Sequence, residues 1–157
     1  AGMCNYRDII KEQFDLDMDN IPGSGAAGGL GTALMVFLNG TLKSGIETVL
    51  DLVDFDEHLK DVDIVVTGEG ATDWQSVFGK VMQGVGVHCQ KHHIPAVAIV
   101  GSMGSGAEDI FDYGIESIIT TVNNIMPLSD ALNHAEELYL GAARRMFRLL
   151  KAGMQMR

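Results

Sequence analysis

Apolar and polar positions along the chain follow two different rhythms. Over residues 5–18, Ile9, Ile10, Phe14 and Leu16 stand among charges at helical spacing, which predicts an amphipathic helix ended by Pro22 and Gly23. A helical stretch follows over 32–38, with Asn39 and Gly40 as its C-terminal cap. Ile46, Val49, Leu50, Leu52 and Val53 are expected to form the buried face of another helix, and the acidic run over 51–63 to hold a short helix near Glu57. From Asp61 the rhythm changes to strand, loop, helix, strand. Asp63-Ile-Val-Val-Thr67 and Pro95-Ala-Val-Ala-Ile-Val100 are short, β-branched runs that predict buried strands, and Glu116-Ser-Ile-Ile-Thr-Thr-Val122 predicts a third. Between them, 68–76 is expected to be a loop and 79–93 a helix, with a second Gly-rich loop over 101–106. The longest predicted helix, 127–152, places Leu132, Leu138, Tyr139, Ala142, Met146, Leu149 and Leu150 near a period of 3.6.

Strands that alternate with helices pair in parallel through right-handed crossovers. Residues 61–157 therefore predict an α/β fold: an open, mostly parallel sheet with flanking helices, in a Rossmann-like layer architecture. Residues 1–60 form a helical, Gly-rich segment of their own. In such a sheet ligands bind where the chain leaves the carboxyl ends of the strands, and both Gly-rich loops, 68–70 and 101–106, fall there.

Composition narrows the function. In 157 residues, 46% are apolar and 20% charged, enough for a core and against disorder. The longest apolar runs, 33–38 and 96–100, are too short to span a bilayer, and no charged-then-apolar leader opens the chain. A net charge of −10 argues against a nucleic-acid partner. Two cysteines, Cys4 and Cys89, are too few for a disulfide framework and point to the cytoplasm. The chain starts Ala-Gly-Met-Cys, which fits a processed terminus or a portion of a longer protein. Glycine is the outlier, with 19 residues against about 11 expected at a usage of roughly 7%.

The glycines cluster around the candidate chemistry. Gly23-Ser-Gly-Ala-Ala-Gly28 satisfies a dinucleotide fingerprint literally, but no strand precedes it, so that reading fails. Its glycines still allow close backbone approach to an anion or substrate, with tight helix packing as the plainer role. Residues 68–80 gather two carboxylates (Glu69, Asp73), Gln75, Ser76 and Lys80. Phosphoryl transfer needs carboxylates to hold Mg²⁺ or accept a hydroxyl proton, and a cation against developing charge; the plainer role is a capped helix entry. The segment is not a Walker A loop. A calcium loop beginning at Asp15 fails, because Ala26 stands where a bidentate Glu is required. His88 with His92 and Cys89 with His93 face different ways on one helix, which disfavours zinc. The nine methionines need only a packing role, and Arg144, Arg145, Arg148 and Lys151 are the solvated face of the last helix.

Pro22-Gly-Ser-Gly-Ala-Ala-Gly-Gly-Leu-Gly31, Gly45-Ile-Glu-Thr-Val-Leu50 and Asp63-Ile-Val-Val-Thr-Gly-Glu-Gly70, followed by Asp73, Gln75, Ser76, Gly79 and Lys80, resemble the bacterial class I glycerate kinases in order and spacing, from about Tyr6 to Leu150. The resemblance implies ATP-dependent phosphorylation of D-glycerate, at the 2-hydroxyl in preference to the 3-hydroxyl, with Mg²⁺. It also implies a two-domain enzyme with its site in the cleft between them, this chain being the carboxyl-terminal portion and 1–60 belonging to a second α/β domain or an inter-domain region. Gly23, Ser24, Gly25, Gly28, Gly29, Gln75 and Ser76 would then bind substrate or phosphate, and Gly68, Gly70, Gly101 and Ser102 the nucleotide. Glu69 and Asp73 would be the catalytic carboxylates, with Asp73 also the metal ligand; the division of proton and metal between them stays open. Family members usually place arginine where this chain has Ala71. Other readings are a non-catalytic ligand-binding domain and a kinase for another small hydroxy acid. Small glycerate is the expected partner, with no membrane, and with either self-association or association with an absent amino-terminal half.

Overall fold

In the computed structural model, which describes residues 2–77 and 80–156, the chain divides into two units between Ser44 and Gly45. Gly79, counted in the motif and as the expected start of a helix, lies outside the described residues.

The first unit contains α1 (Gly2–Phe14) and α2 (Ala26–Leu38). Ile10 and Met18 are its buried apolar anchors, and the rings of Phe14 and Phe37 meet edge to face at 5.4 Å. The segment around Leu16, expected to continue the first helix, lies beyond its end. Asn39 closes α2 in the left-handed conformation, and the Gly40 N–H donates to the Leu34 carbonyl at 3.0 Å, as the Asn-Gly pair predicts.

The second unit is a three-layer α/β sandwich. It runs α3 (Gly45–Leu52), α4 (Phe55–His58), β1 (Val65–Thr72), a 3₁₀ turn (Trp74–Val77), α5 (Val81–Lys91), β2 (Ala96–Met103), a second 3₁₀ segment (Ala107–Tyr113), β3 (Ile115–Thr120), α6 (Leu128–Asn133) and α7 (Ala135–Met154). The strands pair in parallel in the order β1-β2-β3. Central β2 is buried on both faces, which is why its apolar run is unbroken. Ala96, Ala98 and Val100 face a core with Leu50, Met82, Val85, Cys89 and Ile110, whereas Val97 and Ile99 face Ala142 and Met146 of α7. Glu116 is an extra residue in β3, since Ala96 pairs with Ile115 but Val97 with Ser117.

Four expectations need correction. Residues 68–72 are strand, not loop: β1 stays paired through Thr72↔Met103, because tertiary pairing overrides the weak strand preference of glycine. For the same reason 101–103 belong to β2. Of the face assigned to 46–53, Leu50 is buried and Ile46 packs beside it, while Val49, Leu52 and Val53 are exposed. The long helix is two, broken at His134, whose N–H nevertheless bonds the Asp130 carbonyl at 3.0 Å. No helix among the described residues is long and apolar enough to cross a membrane.

Candidate functional site

The carboxyl ends of β1 and β2 carry Gly68, Glu69, Gly70, Gly101 and Ser102. Alternation along β1 decides where they point. Ile64 packs in the α7-side cluster and Val65 in the α5-side cluster. Val66, Gly68 and Gly70 therefore present to α7, and the Glu69 side chain to α5. A cleft of about 700 Å³ lies on the α7 side, between these strand ends and α6–α7, and all five of these residues border it. The four glycine and serine positions expected to hold a nucleotide thus share one concavity.

Backbone closeness explains two of the glycines. A Cβ on Gly68 would stand 2.1 Å from the Ile99 carbonyl oxygen, and one on Gly101 would stand 2.2 Å from that of Gly70. No side chain fits in either place.

On the α5 side, Glu69 borders a second recess of about 500 Å³ with Ile46, Val49, Lys80, Val81 and Val85. Glu69 Oε1 is out of contact with solvent and has no hydrogen-bond partner. A carboxylate oxygen so placed is an acceptor waiting for a donor, because buried polar groups in folded proteins are otherwise satisfied.

Asp73 follows β1 at the start of the 3₁₀ turn, and its Oδ1 accepts the Gln75 N–H at 2.8 Å. Ser76 is fully buried. Its Oγ accepts from Thr72 Oγ1 at 3.0 Å and from the Asp73 N–H at 3.3 Å. The Gly104 N–H donates to the Thr72 carbonyl at 2.7 Å, and the Trp74 N–H to the Ser105 carbonyl at 3.0 Å, so the ends of β1 and β2 are tied together. Ser76 is placed inside this junction, and Gln75 is exposed beside it. Among the described residues no three His, Cys, Asp or Glu side chains converge on a metal position. Magnesium usually takes only one or two carboxylates, completing its shell with phosphates and water, so a single carboxylate such as Asp73 remains a fitting donor.

Gly23, Ser24, Gly25, Gly28 and Gly29 lie in the first unit, around the entry to α2. Ala27, Gly28 and Gly29 are successive left-handed residues, with φ of 49°, 69° and 94°. Three in a row are rare because each non-glycine there pays a steric penalty. The Ser24 carbonyl accepts both the Thr32 N–H and Thr32 Oγ1 at 3.1 Å, folding the loop onto the helix. Ser24, Gly25, Arg7 and Asp19 border a recess of about 360 Å³.

Two groups were missed by reading residues in order. Leu128, Leu132 and Tyr139 wall the α7-side cleft, although the period of 3.6 marked Leu132 and Tyr139 as core. His88 is held by Asp56 of α4 at Nδ1 and by Glu47 of α3 at Nε2, 3.1 Å away. Lys91 Nζ also bonds Asp56, at 2.9 Å. His92 Nε2 is 3.3 Å from the same carboxylate but is not aligned for a hydrogen bond. Burial lowers the His88 pKa, but the hydrogen bonds to Asp56 and Glu47 together outweigh it and leave the value raised. The hydrogen bond from His88, then that from Lys91, holds Asp56 well below the ordinary carboxylate range. The cluster thus rests on carboxylates 32 and 41 residues away, which helix spacing alone cannot reveal.

A model of the glycerate kinase family matches residues 1–151. The chain is 40% identical over 144 residues to glycerate kinase of Halalkalibacterium halodurans, covering 92% of this chain and 38% of that protein. It is 37% identical over 154 residues to glycerate 2-kinase of Escherichia coli K12, covering 98% and 40% respectively. A solved structure from Salmonella typhimurium LT2, assigned as a glycerate kinase 2, superposes with a TM-score of 0.70 at 35% identity, over 97% of this chain and 39% of that one. The chain spans about two fifths of the length of the relatives it matches.

Proposed function

The chain belongs to the glycerate kinase family, and on that premise we propose that it serves ATP-dependent phosphorylation of D-glycerate at the 2-hydroxyl, with Mg²⁺. The observation that carries this reading is Glu69 Oε1, a buried acceptor without a partner at the carboxyl end of a parallel strand. ATP·Mg²⁺, when bound, supplies the electrophilic phosphorus and the ADP leaving group. Glu69 takes the proton that the substrate hydroxyl loses as its oxygen bonds to phosphorus. Asp73 is the metal carboxylate. One of its oxygens is anchored by the Gln75 N–H, which fixes its direction before any ligand arrives. Gly68, Gly70, Gly101 and Ser102 leave the strand ends open to the nucleotide. In the first unit, the turn of Gly23, Ser24, Gly25, Gly28 and Gly29 lets a carboxylate or phosphate approach the backbone closely. The Ser24 and Gly29 N–H groups are already bonded to the Ile21 and Gly25 carbonyls, so any amides offered are those of the other three. A small acid is the partner, and the names of the relatives support its being glycerate.

Calorimetry with D-glycerate, and a panel of other small hydroxy acids turned over with ATP·Mg²⁺, tests the substrate. Phosphorus NMR of the product separates 2- from 3-phosphoglycerate. Saturable D-glycerate binding and a 2-phosphoglycerate product are expected. Binding without turnover would favour the ligand-binding reading, and preference for another acid would replace the substrate.

A further inference from the structure

The α7-side cleft is a poor match to a three-carbon hydroxy acid. At about 700 Å³ it falls in the roughly 300–1,000 Å³ range of pockets for far larger ligands. Its exposed surface is mostly apolar, where glycerate has almost no apolar surface to cover. Of the two reactants in the proposed reaction, only the nucleotide carries a broad planar group.

The geometry points to this cleft as the seat of the nucleotide's base, laid over Gly70 and Gly101 and covered by Leu132 and Tyr139. The assignment rests on the phosphotransferase reading above. Its floor is a stretch of sheet from which no side chain rises, since Gly68 and Gly70 alternate toward α7 and Gly101 follows Ile99 on the same face. Gly70 is the informative member. Gly68 and Gly101 are required by the close approach of the strands, but a Cβ on Gly70 would meet nothing within 4 Å. The fold has no need of a glycine there, and a flat ligand does. The opposite wall is apolar and uncovered: Leu132 is 67% exposed and Tyr139 50%. Base rings stack on such aromatic faces. Thr121 and the backbone of Ser102 stand at the border, where ring nitrogens or ribose can bond to them. The position, at the carboxyl ends of parallel strands, is where open α/β sheets take ligands.

The test follows amide and side-chain NMR shifts of the 157-residue chain during titration with adenosine, ATP and inorganic tripolyphosphate. Adenosine and ATP should shift Leu132, Tyr139 and Gly70, and tripolyphosphate should leave Leu132 and Tyr139 unmoved. Gly70→Val should keep the circular dichroism of the unaltered chain and weaken ATP at least tenfold. Tyr139→Ala, at an exposed position, should weaken adenosine by about five- to a hundredfold. Adenosine shifts that avoid the cleft, absence of ATP binding, or unaltered affinity in both variants would overturn the assignment. ADP release with D-glycerate, measured alongside, separates the two readings. An active chain whose adenosine shifts avoid Leu132 and Tyr139 loses only the base assignment. An inactive chain with shifts at those residues keeps the base assignment and counts only against turnover by this chain alone.

Discussion

Gly101 lies so close to Gly70 across the sheet that a single added methyl would stand 2.2 Å from the Gly70 carbonyl oxygen. The obstacle is backbone on both sides, so no side-chain movement relieves it. Gly101→Ala should lower the unfolding free energy by about 3 kcal/mol or more, in the upper tail of single substitutions. Gly70→Ala, which meets open space, should stay within about 1 kcal/mol of the unaltered chain. Urea denaturation of the two variants checks this, and equal stabilities would contradict the strand geometry.

His88 ties α5 to Glu47 of α3 and Asp56 of α4. Its pKa is raised on folding, so its contribution is fully present below the ordinary histidine value near 6.5. That contribution is lost as pH rises through the higher, folded-state value. Asp56 is shifted downward, so its contribution is present above the ordinary aspartate value near 3.8 and lost as acid protonates it in the folded state. Stability should therefore decline on both sides of mildly acidic pH. His88→Gln should cost about 1–2 kcal/mol near pH 6, less than a fully buried charged pair because Glu47 is half exposed. It should also flatten the decline above neutrality. Thermal melts from pH 5 to 9 read this directly, and parallel curves for the two proteins would remove His88 from the linkage.

Thr72 and Ser76 share a hydroxyl hydrogen bond in a site closed to solvent. Ser76→Ala leaves the Thr72 hydroxyl without its acceptor and should cost about 1–3 kcal/mol. If Ser76 serves only this junction, KM for D-glycerate should stay unchanged when assayed well below the melting temperature. A raised KM with unaltered stability would instead place Ser76 against substrate.

Cys89 is buried, and desolvation first, then the Asp56 charge, pushes its thiol up to about 11. Cys4 is exposed. One thiol per chain should react quickly with a disulfide reagent at pH 8, and the second only on unfolding. Peptide mapping should find the fast label on Cys4; rapid labelling of Cys89 would contradict the core around it.

The sequence showed the sheet more clearly than the site. The run Ala96 to Val100 carries apolar residues on both faces, and only a central strand or buried helix tolerates that, so β2 was legible. The end of β1 was not, because Gly68 and Gly70 lack strand preference and owe their conformation to pairing with β2. The division of the last helix at His134 has no proline or glycine to announce it. Glu69 and Asp73 were recognisable as candidates by type and place. That one projects into a recess with an unpartnered oxygen while the other anchors a turn is set by alternation along β1 and by the Gln75 amide. The left-handed turn at Ala27 was hidden because nothing in an alanine predicts it.

The most direct test of the phosphotransferase reading is ADP release from ATP·Mg²⁺ by this chain, with and without D-glycerate, before and after Glu69→Gln. Release should depend on D-glycerate, saturate with it, and fall by about a hundredfold or more in the variant, the scale of a lost general base. Release that ignores D-glycerate, or a variant as fast as the unaltered chain, would contradict the role given to Glu69 and the reaction built on it.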